Sequence, residues 1–262
     1  MLFLTAAPLW LSAGILVVLC PLLAMAGTVL ARRRFGLARL KINNEVAGFK
    51  FAAVGVLYAV FLAFAVIVVW EKFNDAEHAV ANEAGAAATI YRLSAGLDAA
   101  SGEAVRAGTT AYLKSAIGDD WPAMDAGGAS AATTRALDAL YATVLGAAPG
   151  ERGGAIVLAE ILHQLDLITQ ARRDRLVMAS GTVPDLVWFV LIVGALMTIG
   201  FTFFFGTENL RAQTLMTGAL SVLIFSAMLI VVGIDHPFTG PVKVEARALS
   251  AVLADFGGRP RP

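Results

Sequence analysis

Four charge-free apolar runs punctuate the chain: Leu9 to Ala31, Phe51 to Trp70, Leu186 to Gly206 and Thr214 to Ile234. Each approaches or exceeds the roughly 20 residues that a helix needs to cross the hydrocarbon core of a bilayer. One charge at the centre of such a helix costs about 2.5 to 3.5 kcal/mol on insertion scales. Charge-free runs of this length, in a chain that is 15% charged, therefore predict four transmembrane helices. The first run carries a small-x-small sequence, Ala24-Met25-Ala26, that resembles a signal-peptide cleavage site. However, no Lys or Arg precedes Arg32, and Arg32-Arg33-Arg34 follows the run directly, so it reads as a retained helix. Pro21 cannot donate to the Val17 carbonyl and is expected to kink that helix.

Between the second and third runs the pattern becomes amphipathic. Phe73, Ala76, Val80, Ala84, Ala87, Tyr91 and Ser94 recur at spacings of three and four, so the second helix is predicted to run on into water. Further helices are predicted over Glu103 to Ile117, over Thr134 to Leu145 with Leu137, Leu140, Tyr141 and Val144 on one face, and over Gly154 to Ala179 with Val157, Leu158, Ile161, Leu165 and Ile168. Breaks are expected at Gly118 to Ser130 and at Ala147 to Gly154, which includes Pro149-Gly150 and Gly153-Gly154. Thr182-Val183-Pro184-Asp185 offers a Thr cap, a proline in the first turn and an acid for the start of the third membrane helix. No strand alternation competes.

The fold class expected is an all-α integral membrane protein: four transmembrane helices with an extracytoplasmic helical bundle between helices 2 and 3. Residues 1–70 would hold helices 1 and 2 with a cytoplasmic basic loop at 32–50. Residues 71–183 would form the bundle, 184–234 helices 3 and 4, and 235–262 a C-terminal extracytoplasmic tail.

Composition agrees, since 58% of the residues are hydrophobic and lipid is the solvent that such an excess demands. Twenty Lys and Arg balance twenty Asp and Glu, so the chain lacks the basic excess of a nucleic-acid binder. The charges are nonetheless segregated. Residues 32–50 hold six Lys/Arg against one acid, Glu45, whereas 71–183 hold nine against fourteen. The positive-inside rule places 32–50 in the cytoplasm, together with the turn Thr207 to Gln213 that carries Arg211. The bundle and both termini then lie outside, in the periplasm if the membrane is a bacterial inner membrane. The single cysteine, Cys20, allows no intrachain disulfide.

The residues offer no catalytic constellation. There is no HExxH, no GxGxxG and no P-loop, and His78, His163 and His236 are far apart. Glu160 and His163 form one Glu-x-x-His pair, but a di-iron bundle site needs two such pairs and two further glutamates. No catalytic residue, metal site or cofactor is assigned. In the membrane segments, Asn209, Gln213, Thr217 and Ser221 follow at intervals of four on the fourth helix. Gly194, Thr198, Thr202 and Gly206 do the same on the third, and Gly55, Ala59 and Ala63 on the second. Such rows either line a hydrated path or are the small and hydroxylated residues with which membrane helices pack. Glu45, Glu71, Asp185, Glu208 and Asp235 lie at the membrane edges, where charges can meet headgroups and water.

The segments Asn43-Asn44-Glu45-Val46-Ala47-Gly48-Phe49, Val54-Gly55-Val56-Leu57-Tyr58-Ala59-Val60 and Val69-Trp70-Glu71 resemble the bacterial bestrophin-like membrane-protein family. Trp121-Pro122-Ala123-Met124, Ala212-Gln213-Thr214-Leu215-Met216-Thr217 and Asp235-His236-Pro237-Phe238-Thr239-Gly240 resemble its later signatures, so the likeness covers nearly the whole chain. Gly48, Phe49, Glu71, Trp121, Pro122, Asp235, Pro237, Phe238 and Gly240 are the signature positions. Kinship with bestrophins, which are oligomeric anion channels, implies a homo-oligomer whose second helix lines a pore through Tyr58, Phe61 and Phe64. Asn43, Asn44 and Glu45 at that helix's entrance, and Asn209, Gln213 and Thr217 on the fourth helix, are the other ion-path candidates. Asn43 or Asn44 could equally cap the helix. The function expected is an oligomeric ion channel or transport-like protein acting on ions in the lipid bilayer, without nucleic acid. The alternative is a membrane-anchored sensor or adaptor signalling to a partner through residues 32–50.

Overall fold

The computed structural model describes residues 8–42, 44–148, 154–179 and 183–258, and among them the regular structure is helical. Helix α1, Leu9–Phe35, is the first apolar run. Just before Pro21 it widens into a π-helical turn, Gly14–Leu19. The proline's missing N–H leaves a carbonyl of that turn without its usual donor, and the expected disturbance takes this form. Helix α1 ends at Gly36, whose φ of 73° is open to glycine and whose N–H reaches the Arg32 carbonyl.

The segment read as a basic loop is itself helical: α2, Leu37–Ile42, follows at once, and α3 begins at Asn44. Helix α3, Asn44–Leu93, runs for 50 residues, as the unbroken three-four spacing beyond Trp70 predicts. Helices α8, Asp185–Thr202, and α9, Leu210–Ile234, are the third and fourth apolar runs. With α1 and α3 they are the four helices long and apolar enough to cross a membrane. Helix α8 stops at Thr202 rather than at Gly206, so Gly206 belongs to a turn and not to the helical row expected of it. The Thr182 cap lies outside the described residues. Pro184 occupies the N-cap position of α8 and accepts from the Val187 and Trp188 N–H groups.

The chain divides into two compact units. The first comprises Met1–Glu71, Thr182–Asp235 and Gly240–Val242, and the second Lys72–Gly181, His236–Thr239 and Lys243–Pro262. In the first, α9 lies against α1, and the buried side chains include Leu16, Tyr58, Leu62, Leu191, Ala195, Met228 and Val231. Small residues mark the closest approaches. A Cβ on Gly218 would meet the Met25 sulfur at 2.8 Å, and one on Gly206 would meet the Lys41 backbone nitrogen at 2.7 Å. This is how membrane helices associate where apolar burial offers no advantage over lipid.

The second unit packs the far half of α3 with α4 (Ala99–Ser115), α5 (Trp121–Asp125), α6 (Ala131–Leu145), α7 (Gly154–Met178) and α10 (Arg247–Gly258). Asp98 caps α4 by accepting from Ala100 and Ser101, and Ser130 caps α6 by accepting from Ala132 and Thr133. Helix α4 thus starts four residues before the predicted Glu103. The predicted break at 118–130 is half wrong. A π-helical turn, Ala116–Asp120, and α5 carry the helical path to Asp125, and only residues 126–130 leave it. Pro122 sits in the first turn of α5, where it has no intrahelical N–H bond to lose, and the Gly-rich composition bites only afterwards. Of the break expected at 147–154, residues 149–153 lie outside the described residues.

Candidate functional site

Helix α3 carries most of the sequence candidates, and the structure sorts them by face. Tyr58, Leu62, Ala65 and Val69 repeat at four and three and form the buried side. Tyr58 is only 6% exposed, donates its hydroxyl to the Leu191 carbonyl at 3.1 Å and lies against Gly194 of α8. Phe61 and Phe64 are 58% and 62% exposed and point away from the chain. The three aromatics grouped on sequence therefore do not share a surface.

On the uncovered side, helical geometry places Val56, Val60 and Ile67 opposite the buried row. Leu57, Phe61, Phe64 and Val68 form one flank and Gly55, Ala59 and Ala63 the other. One flank is thus a ridge of bulky side chains and the other a shallow row of small ones.

At the start of α3, Asn44 is a clamp rather than a free amide. Its Nδ2 donates to the Gly206 carbonyl and its Oδ1 accepts from the Gly206 N–H, both at 2.9 Å. Lys41 pairs with Glu208 at 2.6 Å, and Arg32 donates to the Thr207 carbonyl. Four bonds from three side chains thus tie the α1–α3 connection to the α8–α9 turn. Hydrogen bonding and the positive charge of Lys41 hold the Glu208 carboxyl below the usual carboxylate range. Glu45 and Phe49 are exposed, Gly48 lies beside the Phe205 ring, and Asn43 lies outside the described residues.

Beyond the exposed Asn209, the polar stripe of α9 is turned inward at Gln213, Thr217 and Ser221. Asn209 is the N-cap, accepting from Ala212. Gln213 donates to the Phe205 carbonyl, Thr217 to the Thr202 hydroxyl at 3.4 Å, and Ser221 to the Thr217 carbonyl at 2.8 Å. Its groups bond to protein, which is the geometry of packing.

The signature residues divide between the two units. In the first, Asp235 is buried and accepts from the Val183 N–H at 2.8 Å, Gly240 is buried, and Glu71 is exposed. In the second, Trp121 takes the Phe238 ring edge-on at 6.0 Å, donates to the Val244 carbonyl and carries the Arg175 guanidinium 4.5 Å from its centroid. Pro237 accepts from the Val244 N–H, and Pro122 is exposed in the first turn of α5.

Arg175 belongs to a buried network that sequence reasoning missed. It donates to Glu83 at 2.9 and 3.1 Å and to Asp120 at 3.2 Å. Arg172 holds Asp120 through two bonds of 2.7 and 3.0 Å, Tyr112 donates to Glu83 at 2.6 Å, and the Ser130 N–H reaches Asp120 at 2.9 Å. Burial opposes ionisation of Asp120, but the bonds from Arg172 and Ser130 and the charge of Arg175 outweigh it, holding its carboxyl below its ordinary value. Burial, then the negative charge of Glu83, pushes the Tyr112 hydroxyl well above the usual range. A signal was present: Arg172 and Arg175 continue the Ile161, Leu165, Ile168 register, and Glu83 falls beside Val80 and Ala87 on the buried stripe of α3. Glu160 and His163 are exposed, and no group of three His, Cys, Asp or Glu among the described residues is placed to hold a metal ion.

Comparison with known proteins adds three findings. No curated protein matches the sequence. A bacterial bestrophin homologue from Klebsiella pneumoniae, solved by Zn-SAD phasing, superposes with a TM-score of 0.68 at 16% identity, covering 94% of this chain and 100% of that one. A mutant of that homologue gives 0.69 at 16% identity with 93% and 99% covered, and a structure described as a membrane-protein mutant gives 0.71 at 15% with the same coverage. At such identities the likeness concerns the fold. The model of the Bestrophin-like domain matches residues 18–249, and with that match spanning most of its length this four-span helical chain belongs to the bestrophin-like family.

Proposed function

We propose that the protein is an oligomeric ion channel of a bacterial inner membrane, with α3 of each subunit facing a common axis. The observation that carries this reading is the pair of unlike flanks on the uncovered side of α3. A bulky ridge of Leu57, Phe61, Phe64 and Val68 and a shallow row of Gly55, Ala59 and Ala63 are complementary between neighbours related by rotation. A heterologous contact of that kind closes into a ring when the rotation between neighbours divides a full turn. Close approach at small residues is also what holds helices together in lipid. Membership of a family named for bestrophins, which are oligomeric ion channels, supports the same conclusion.

In such a ring Val56, Val60 and Ile67 face the axis with Phe64 at their edge, an apolar constriction of the type that gates by dewetting. Tyr58 is a packing residue in this reading. Asn44 braces the entrance, and exposed Glu45 is the charged group nearest the path there. Conduction of this kind employs no catalytic side chain.

The basic end of the helices is assigned to the cytoplasm by its excess of Lys and Arg, with the bundle and both termini outside. Single cysteines at Ala38→Cys and Asp138→Cys in a Cys20→Ser background test this with a membrane-impermeant maleimide. Labelling of intact cells at 138 and not at 38 is expected, and the reverse pattern inverts the topology. For the channel itself, purified oligomer in liposomes should give ion flux above empty vesicles, and Phe64→Ala should change that flux. Flux equal to empty vesicles across several ions and pH values removes the reading.

A further inference from the structure

The cytoplasmic assignment explains why basic residues gather where α1 ends, but not why an apolar slot lies among them. A cavity of about 190 Å³ is lined by Phe35, Arg39, Leu40, Ala47 and Phe204. Phe35 and Phe204 form one wall, with ring centroids 6.5 Å apart at a tilt of 37°. The Arg34 guanidinium lies 6.0 Å from the centroid of Phe35.

The neighbouring cations are already committed, Lys41 to Glu208 and Arg32 to the Thr207 carbonyl. Arg33, Arg34 and Arg39 are exposed and have no carboxylate partner among the described residues. Of these, Arg39 lines the aromatic slot and Arg34 stands against its Phe35 wall, at the level where the apolar run of α1 gives out. A small aqueous anion would use the charge and leave the slot empty, and a neutral lipid would use the slot and leave the charge.

We propose that this slot is a binding site for an anionic phospholipid, with Arg39 meeting the headgroup phosphate and Phe35 and Phe204 packing on the glycerol and first methylenes of the acyl chain. Guanidinium is suited to phosphate through its planar fork of donors. The site lies within one unit of one chain, so it stands independently of the channel reading.

Native mass spectrometry of the intact purified protein, exchanged into phosphatidylglycerol or phosphatidylcholine, tests it. Phosphatidylglycerol should be retained preferentially. Arg39→Gln should weaken retention about fivefold, the fold-change equivalent to about 1 kcal/mol for one basic residue at an anionic surface. Ala47→Phe, which fills the slot without altering charge, should weaken it too, whereas Lys243→Gln in the second unit should not. Equal retention of the two lipids, indifference to both slot variants, or an equal loss with Lys243→Gln would overturn the site. Displacement of phosphatidylglycerol by millimolar inorganic phosphate would assign the arginines to a free anion instead and overturn it as well.

Discussion

Replacing Arg175 by Met tests whether the buried network holds the second unit together. Arg175, Glu83 and Asp120 are each fully buried, and three of the bonds in the network leave from this one guanidinium. Arg175→Met leaves Glu83 with Tyr112 as its donor, and it leaves the Trp121 ring without its cation. Stranding a buried charge in this way costs about 3 to 5 kcal/mol. For a chain of this size that corresponds to a fall in Tm of roughly 6 to 20 °C.

The triple variant Glu83→Met, Arg175→Met, Tyr112→Phe removes the stranded acid and the hydroxyl that would lose its acceptor, while Asp120 keeps Arg172 and Ser130. It should regain most of the loss, because a buried pair and a packed apolar replacement are close in free energy. Unfolding would be followed by Trp121 fluorescence with the other three tryptophans changed to Phe, and by helical circular dichroism. An Arg175→Met protein within about 1 kcal/mol of the parent, or a triple variant no better than the single, would refute the reasoning.

The pH dependence has a definite sign. Asp120 has a folded value depressed below its unfolded one of about 3.9, so its contribution is complete above that value and is lost as pH falls through the folded value. Its share of Tm should be level from pH 7 to 5 and fall below about pH 4, and Asp120→Asn should lose that acid-dependent part. A Cβ on Gly194 would enter the Tyr58 ring, so Gly194→Val should destabilise by about 1 to 3 kcal/mol, and Tyr58→Ala in the same chain should relieve part of it, as read by thermal unfolding. Asn44→Ala breaks both bonds to Gly206 and should cost about 1 to 3 kcal/mol, with Asn44→Asp intermediate because only the acceptor survives. If the α9 stripe packs rather than conducts, Thr217→Val should leave flux in liposomes unchanged, and a changed selectivity would return it to the ion path.

Much of the helical plan was legible because the four apolar helices and the longer amphipathic ones announce themselves locally, whereas α2, α5 and α10 do not. A charge-free run near 20 residues has one stable conformation in lipid, and the three-four spacing from Phe73 to Ser94 carries α3 beyond the membrane. The breaks were less legible. Gly118-Asp119-Asp120 reads as a loop by composition, yet it is helical because Asp120 finds Arg172 and Arg175 52 and 55 residues later. Gly206 reads as the end of a helical row, yet it is a turn residue whose backbone is held by Asn44 from 162 positions away.

The candidate site shows the same division. The family could be read from local motifs, and so could the charge asymmetry that predicts orientation. Which face of α3 is free could not, because Tyr58, Phe61 and Phe64 are all aromatic, and only the presence of Gly194 and the Leu191 carbonyl beside Tyr58 separates them. What the sequence by itself determined is the number, approximate extent and polarity of the four apolar helices, since lipid and hydrogen bonding act on contiguous residues. Only the tertiary structure decided that the α9 stripe turns inward, that four charges meet in the core of the second unit, and that an apolar slot opens among the arginines. Those outcomes depend on partners distant in the chain, whose meeting no local spacing encodes.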